Sequence, residues 1–201
     1  MSKASLNNTS VRLFLAIELD PSVRQSVGTV IQWLKQQGLS ARWVAQENLH
    51  VTLKFLGAVD SQKVSILCRT LREELCSIAS FPIVLHDFGF FPHFRRPRVI
   101  WIGLDEGKEA LRDVFERIET CLKPLGYPKE DKAFHPHVTL GRFRSGGRYN
   151  LSKILLTDAT KNVCFSVQQE CRGVSLLKSV LTSDGAVYTL IERFDFLKGS
   201  L

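Results

Sequence analysis

The chain has 201 residues, 44% of them hydrophobic, enough for a sizeable core in one compact unit. Its 27 Lys+Arg against 20 Asp+Glu give a net charge of +7, a balance that favours polyanionic partners such as nucleic acid. Cys68, Cys76, Cys121, Cys164 and Cys171 are odd in number and contain no CxxC, which argues against both a disulfide framework and a zinc ribbon. Residues 1–10 read as a flexible polar tail without an apolar signal region, and no later run approaches the ~18 apolar residues of a membrane span. A soluble, cytoplasmic protein with one domain over residues 11–201 is expected.

Alternation at Val11, Leu13, Leu15 and Ile17 predicts a first strand. Asp20-Pro21 then opens a helix with apolar residues at Val23, Val27, Val30, Ile31 and Leu34, ending near Gly38. The β-branched run from Leu49 to Leu56 predicts a strand closed by Gly57. A second helix opens near Asp60 or Ser61 and buries Val64, Leu67, Leu71, Leu75 and Ile78. Phe81 to Phe90 and Val99 to Leu104 read as a hairpin joined by the proline- and arginine-rich loop Pro92 to Arg98. A third helix spans about Lys108 to Leu122, and another strand begins near His137. Asn150 to Asp158 reads as a short helix. Two long strands, Cys164 to Leu181 and Ala186 to Phe196, flank the turn Ser183-Asp184-Gly185. Hairpins outnumber parallel crossovers, so the class is α+β with mostly antiparallel pairing.

One four-residue word occurs twice, as His50-Val51-Thr52-Leu53 and His137-Val138-Thr139-Leu140, each on a predicted strand. Side chains alternate along a strand, so each copy sets a His and a Thr on one face above an apolar Val and Leu anchor. A lone His-x-Thr is more often a surface or satisfied core feature. Two copies facing one another across a pseudo-two-fold axis would bring two imidazoles and two hydroxyls to one small substrate.

Opening a cyclic phosphodiester needs that set, because attacking water must lose a proton while the departing ribose oxygen gains one. Imidazoles titrate near pH 6.5, so one can be neutral while the other is charged, and threonine hydroxyls can meet the charge that accumulates on the non-bridging oxygens.

Taken with their flanks, these motifs resemble the two-histidine (2H) phosphoesterase superfamily, and within it the LigT-type RNA 2′,3′-cyclic phosphodiesterases, first described as 2′-5′ RNA ligases. The matching stretches are Arg12 to Ile17, Asn48 to Gly57, His135 to Arg142 and Gly185 to Tyr188, in the expected order over nearly the whole chain. The resemblance implies a two-lobed, pseudo-symmetric fold whose antiparallel sheets line a central groove, with helices outside. It places the proton donor at His50 and the proton acceptor at His137, with Thr52 and Thr139 beside them and no cofactor. It further implies RNA with a 2′,3′-cyclic phosphate end, such as a tRNA half, as substrate, a 2′-phosphomonoester as product, 2′-5′ ligation as the reverse reaction, and no obligate protein partner.

Arg142 resembles the family's phosphate-contacting arginine, and its guanidinium fork suits two phosphate oxygens. It lies at odd spacing from His137, so a regular strand would turn it to the opposite face unless a bulge at Gly141 intervenes; a plain surface arginine is the alternative. Phe14 and Phe55 are candidates for packing on a base beside the groove, with core packing the alternative. His50, His135 and His137 together could supply three metal ligands, the rival mechanism of a metal-dependent hydrolase. A non-catalytic RNA-binding module is the rival class. The loop Phe91 to Arg98 and the run Arg142, Arg144, Arg148 suit single-stranded RNA or merely a solvated surface.

Overall fold

A computed structural model describes residues 10–144, 165–183 and 185–198. The first strand, β1 (Ser10–Glu18), is followed by helix α1 (Pro21–Gln36) and the two-residue β2 (Arg42–Trp43). Strand β3 (His50–Asp60) leads into α2 (Val64–Leu75), then the hairpin β4 (Phe81–Phe91) and β5 (Val99–Leu104). Helix α3 (Lys108–Leu122) precedes β6 (His137–Arg142), and β7 (Ser166–Cys171), β8 (Gly173–Thr182) and β9 (Gly185–Asp195) complete the set.

The local reasons are those the sequence offers. Proline at the first position starts α1, whose buried stripe is Val23, Val27, Val30, Ile31 and Leu34. It ends where Gly38 adopts φ +80° and the amide of Leu39 reaches back to the carbonyl of Leu34 at 3.2 Å. Asp20 does not cap this helix; its carboxylate turns to Arg172, 3.2 Å away. The Asp60 carboxylate accepts from the amide of Gln62 at 3.0 Å and starts the 3-10 turn that leads into α2. Gly107, at φ +79°, begins α3 with its α-carbon so close to β4 that a Cβ would lie 2.5 Å from the Pro82 carbonyl oxygen.

All the strands form one curled, antiparallel half-barrel in the order β7-β4-β5-β6-β3-β1-β8-β9, with β2 added against β6. β3 and β6 meet at a single ladder position, Val51 opposite Val138, and part beyond it. The sheet therefore divides into two lobes of four main strands, one led by each histidine motif, with β2 a further short strand on the His137 lobe. The main core packs the three helices on one face of the sheet, against Leu15, Val51, Ile100 and Val138 among others. The opposite face carries a small cluster of Phe14, Ala16 and Leu177 beneath Tyr188, and it is this face that forms the groove. β1 is thus buried on both sides along its centre.

Three expectations are revised. Ser10 belongs to β1 rather than to the polar tail. Between the predicted helix ending near Gly38 and the strand from Leu49, where no element is expected, Trp43 pairs with Gly141 in the short β2. The long strand expected from Cys164 to Leu181 is two strands: β7 pairs with β4 in one lobe and β8 with β1 in the other. The break falls at Arg172, whose carbonyl accepts the amide of Phe196 at 2.8 Å, and Gly173 passes so near this segment that a Cβ would lie 2.4 Å from the Phe194 oxygen. The helix expected at Asn150 to Asp158 lies outside the described residues, as do Cys164 and Arg148.

Candidate active site

His50 and His137 are each the first residue of their strand. The Nδ1 of His50 lies 2.7 Å from the carbonyl oxygen of Asn48, and that of His137 lies 2.7 Å from the carbonyl oxygen of His135. A carbonyl only accepts, so each Nδ1 carries a proton and donates it, leaving Nε2 as the titrating atom of both rings. The repeated word therefore repeats a tautomer as well as a position. Counting outward from Val51 and Val138 on antiparallel strands, His50 falls beside Thr139 and Thr52 beside His137. The Nε2 of His50 is also 3.0 Å from the Thr52 hydroxyl.

Each imidazole is held by two aromatic rings. Phe14 and Tyr188 stand 5.1 and 5.4 Å from His50, and Phe91 and Trp101 stand 5.1 and 6.0 Å from His137. Burial holds both imidazoles below the ordinary value near 6.5, because an apolar surround disfavours the charged form. At His50 the Asn48 carbonyl opposes this, and the positive Arg24 and His137 add to it; at His137 the His135 carbonyl opposes, and His135 and Arg142 add.

The odd spacing of Arg142 is resolved by a bulge, one residue earlier than expected. Trp101 pairs with Thr139 but Ile100 pairs with Gly141, so Leu140 is the extra residue. Beyond it, Arg142 lies opposite Val99, two positions from Trp101 on β5 and hence on the same groove face. The first copy has the same device. Ala16 pairs with Thr52 and Leu15 with Lys54, so Leu53 is extra, and after a second bulge at Leu56 the ladder resumes regularly. Phe55 thus lies opposite Phe14 on the groove face, while Lys54 turns into the core.

In the core Lys54 forms an ion pair with Glu119 of α3, both side chains being 3% exposed. The Lys54 ammonium also donates to the Pro128 carbonyl at 2.8 Å, and the second Glu119 oxygen accepts the Glu130 amide at 2.7 Å. These bonds pin the segment that leads to His135-Pro136-His137. That segment also walls a cavity of about 650 Å³, lined by Thr52, Phe55, Phe91, Arg98, Phe134 and His137. A smaller cavity of about 390 Å³ lies on the other side, against His50, Arg24, Asn48 and Tyr188.

The expected residues thus fall into groups. His50, Thr52, His137, Thr139 and Arg142 share the groove face. Phe55, 64% exposed, borders the larger cavity, whereas Phe14, 2% exposed, lies beneath His50 and offers no surface to a ligand. For Phe14 the core alternative holds. His135 packs its ring 4.9 Å from Trp101 and 5.6 Å from Phe91, and among the described residues no three His, Cys, Asp or Glu side chains converge in a way that could hold a metal ion.

Trp101 was not singled out by sequence pattern, and Phe91 and Tyr188 were named only as the ends of longer stretches, not as neighbours of the histidines. A signal for Trp101 exists in Gly89 and Gly103: the indole lies across the first so closely that a Cβ would be 1.9 Å from it, and 3.0 Å at the second. A glycine opposite the tryptophan on β4 and another two residues along its own strand β5 leave the indole room to lie as a flat platform.

A half-barrel of two lobes, each opening a central strand with a histidine and setting a threonine two residues on, is the architecture of the two-histidine phosphoesterases. The profile of the 2′-5′ RNA ligase superfamily matches residues 20–177, and the chain belongs to that superfamily. An RNA 2′,3′-cyclic phosphodiesterase of Methanocaldococcus jannaschii is 34% identical over 184 residues, covering 92% of this chain and 100% of the relative. One of Aquifex aeolicus is 33% identical over 174 residues, covering 85% and 91%. Among solved structures, a Thermus thermophilus protein superposes with a TM-score of 0.77 at 24% identity over 94% of this chain and 100% of its own, and Escherichia coli LigT in apo form with 0.72 at 24% over 94% and 99%. At that identity the superpositions speak for the fold. Among the described residues no helix is long and apolar enough to cross a membrane.

Proposed function

We propose that this protein is a phosphoric diester hydrolase that opens the 2′,3′-cyclic phosphate at RNA ends, with His137 as general base and His50 as general acid. The observation that carries the reading is the pair of imidazoles on adjacent strands, each with Nδ1 committed to a backbone carbonyl and Nε2 left to titrate. The two relatives described above, both named RNA 2′,3′-cyclic phosphodiesterases, support this substrate.

In the reaction, neutral His137 takes a proton from water as its oxygen bonds to phosphorus. The bond from phosphorus to O3′ breaks, and protonated His50 gives its Nε2 proton to that oxygen, leaving a 2′-phosphomonoester and a 3′-hydroxyl. Thr52, Thr139 and Arg142 face the non-bridging oxygens, where donors set in advance act most strongly on developing charge. A 5′-hydroxyl in place of water gives 2′-5′ ligation by the same proton transfers, without ATP. The larger cavity offers Phe55, Phe91 and Phe134 to the terminal base.

The test is hydrolysis of a short RNA ending in 2′,3′-cyclic phosphate, with and without EDTA, with 2′- and 3′-phosphate products resolved. Chelator-resistant release of the 2′-phosphate is expected. Chelator-sensitive turnover would replace the two-histidine mechanism by a metal site at His50, His135 and His137, and binding without turnover would make the protein an RNA-binding module.

A further inference from the structure

We infer that the arginine-rich tip of the β4–β5 hairpin, together with Arg42, forms a track for the single-stranded RNA preceding the reacting end, so that the protein is built for a polymer rather than an isolated nucleotide. The inference rests on the cyclic phosphodiesterase reading and deepens it.

Arg95, Arg96 and Arg98 are exposed at the hairpin tip, and among the described residues none has an acidic partner. Their backbone is nonetheless tied down: the Arg96 amide donates to the His93 carbonyl at 3.3 Å, the Arg98 amide to the Phe91 carbonyl at 2.7 Å, and the Phe143 amide to the Arg98 carbonyl at 2.9 Å. A loop held this way presents its arginines from a hydrogen-bonded backbone. Phe94, 50% exposed, carries the Arg95 guanidinium 5.8 Å from its ring centre, and an exposed ring beside cations suits stacking on a base.

The track continues inward. Arg98 lines the same cavity as His137, and Val99 beside it pairs with Arg142. Arg42 then lies directly opposite Arg142 on β2. Like charges directly opposed on a ladder destabilise a sheet, and among the described residues neither arginine has a carboxylate to relieve the other. A string of phosphates supplies that relief. Arginines from the reacting groove to the hairpin tip, with an aromatic ring among them, match a flexible strand whose charges are spaced along a backbone and whose bases are free to stack.

The experiment compares kcat/KM for a cyclic mononucleotide with that for an RNA of about ten nucleotides bearing the same cyclic end, from about 50 to 200 mM salt, in the native chain and in the double variant Arg95→Gln/Arg96→Gln. The native chain is expected to prefer the longer substrate. In the variant the polymer rate should fall by about tenfold and its logarithmic salt slope by about 1.4, two phosphates' worth for a single strand, while the mononucleotide rate stays unchanged. Equal rates on both substrates in the native chain, or an unaltered slope in the variant, would overturn the track. Should the native chain turn over neither substrate, the parent reading fails and the track is decided by anisotropy of a fluorescent ten-nucleotide RNA: salt-sensitive binding weakened in the variant supports it, and no binding removes it.

Discussion

Phe55 and Arg142 occupy matching places in the two lobes: each follows its motif histidine at odd spacing, and each is brought onto the groove face by bulging at or after the motif leucine. The duplicated word thus delivers an aromatic surface on one side of the histidine pair and a cation on the other. Arg142→Lys keeps the charge but loses the planar fork, and kcat/KM on the cyclic-ended RNA should fall by about 10- to 100-fold. Phe55→Ala should act mainly on KM, because its ring is exposed beside the cavity and meets no reacting atom. Steady-state kinetics on both variants separates the two effects.

His50→Ala and His137→Ala should each remove about 10²- to 10⁴-fold of kcat, while thermal unfolding stays within a few degrees, since both side chains stand on the groove face outside the main core. Thr52→Ala and Thr139→Ala should cost about tenfold. The double histidine variant should lose little more than either single one, because the two groups act in one step.

Both imidazoles titrate below the ordinary value of about 6.5 because of burial. Between that value and the folded ones the native chain binds fewer protons than the unfolded chain. The stability these residues lend is therefore complete above about pH 6.5 and is lost as pH falls through the folded values. Urea midpoints for the native chain should drop on going from about pH 7.5 to 5.5, and should drop less in a variant with both histidines replaced by asparagine. The kcat/KM profile should be a bell centred below about pH 6.5, and the kcat profile should move to higher pH, since bound phosphate favours the charged imidazole.

Lys54→Met alone leaves the Glu119 carboxylate buried without its cation, and a loss of about 3–5 kcal/mol is expected in urea unfolding. The double variant Lys54→Met/Glu119→Leu should recover most of it. Hydrogen exchange at the Glu130 amide, which donates to Glu119, should be faster in both.

Gly89→Ala would set a methyl group 1.9 Å from the Trp101 indole, which must then shift against His135 and His137. A fall in kcat is expected, and the enlarging substitution Gly89→Val should lower it further.

The helices and the two histidine strands were legible because their signals are local: apolar periodicity, Pro21 after Asp20, and a repeated word. The groove face of Arg142 was not, because parity along β6 is reset at Leu140, and a bulge is visible only against the partner strand. Trp101, and the closeness of Phe91 and Tyr188 to the histidines, escaped for the same reason, since pairing along β4–β5–β6 and along β3–β1–β8–β9, not sequence spacing, brings these rings there. The break at Arg172 hid within a continuous strand-forming run, although Gly173 marked it. Phe14 and Phe55 share one composition and one strand pair, yet only packing decides that the first is covered and the second open.

The division of β7 from β8 at Arg172 also sets an order of assembly. Apart from the two-residue β2, every strand of the His137 lobe lies between Phe81 and Cys171, whereas the His50 lobe joins β1 and β3 to the late strands β8 and β9. On the ribosome, the histidine made first is therefore housed last. Until β8 and β9 emerge, one edge of β1 has no partner, and Phe14 and Ala16 lack the cover of Leu177 and Tyr188. A nascent chain can carry both histidine motifs and still lack half the walls around His50, so competence for chemistry arrives with the final hairpin.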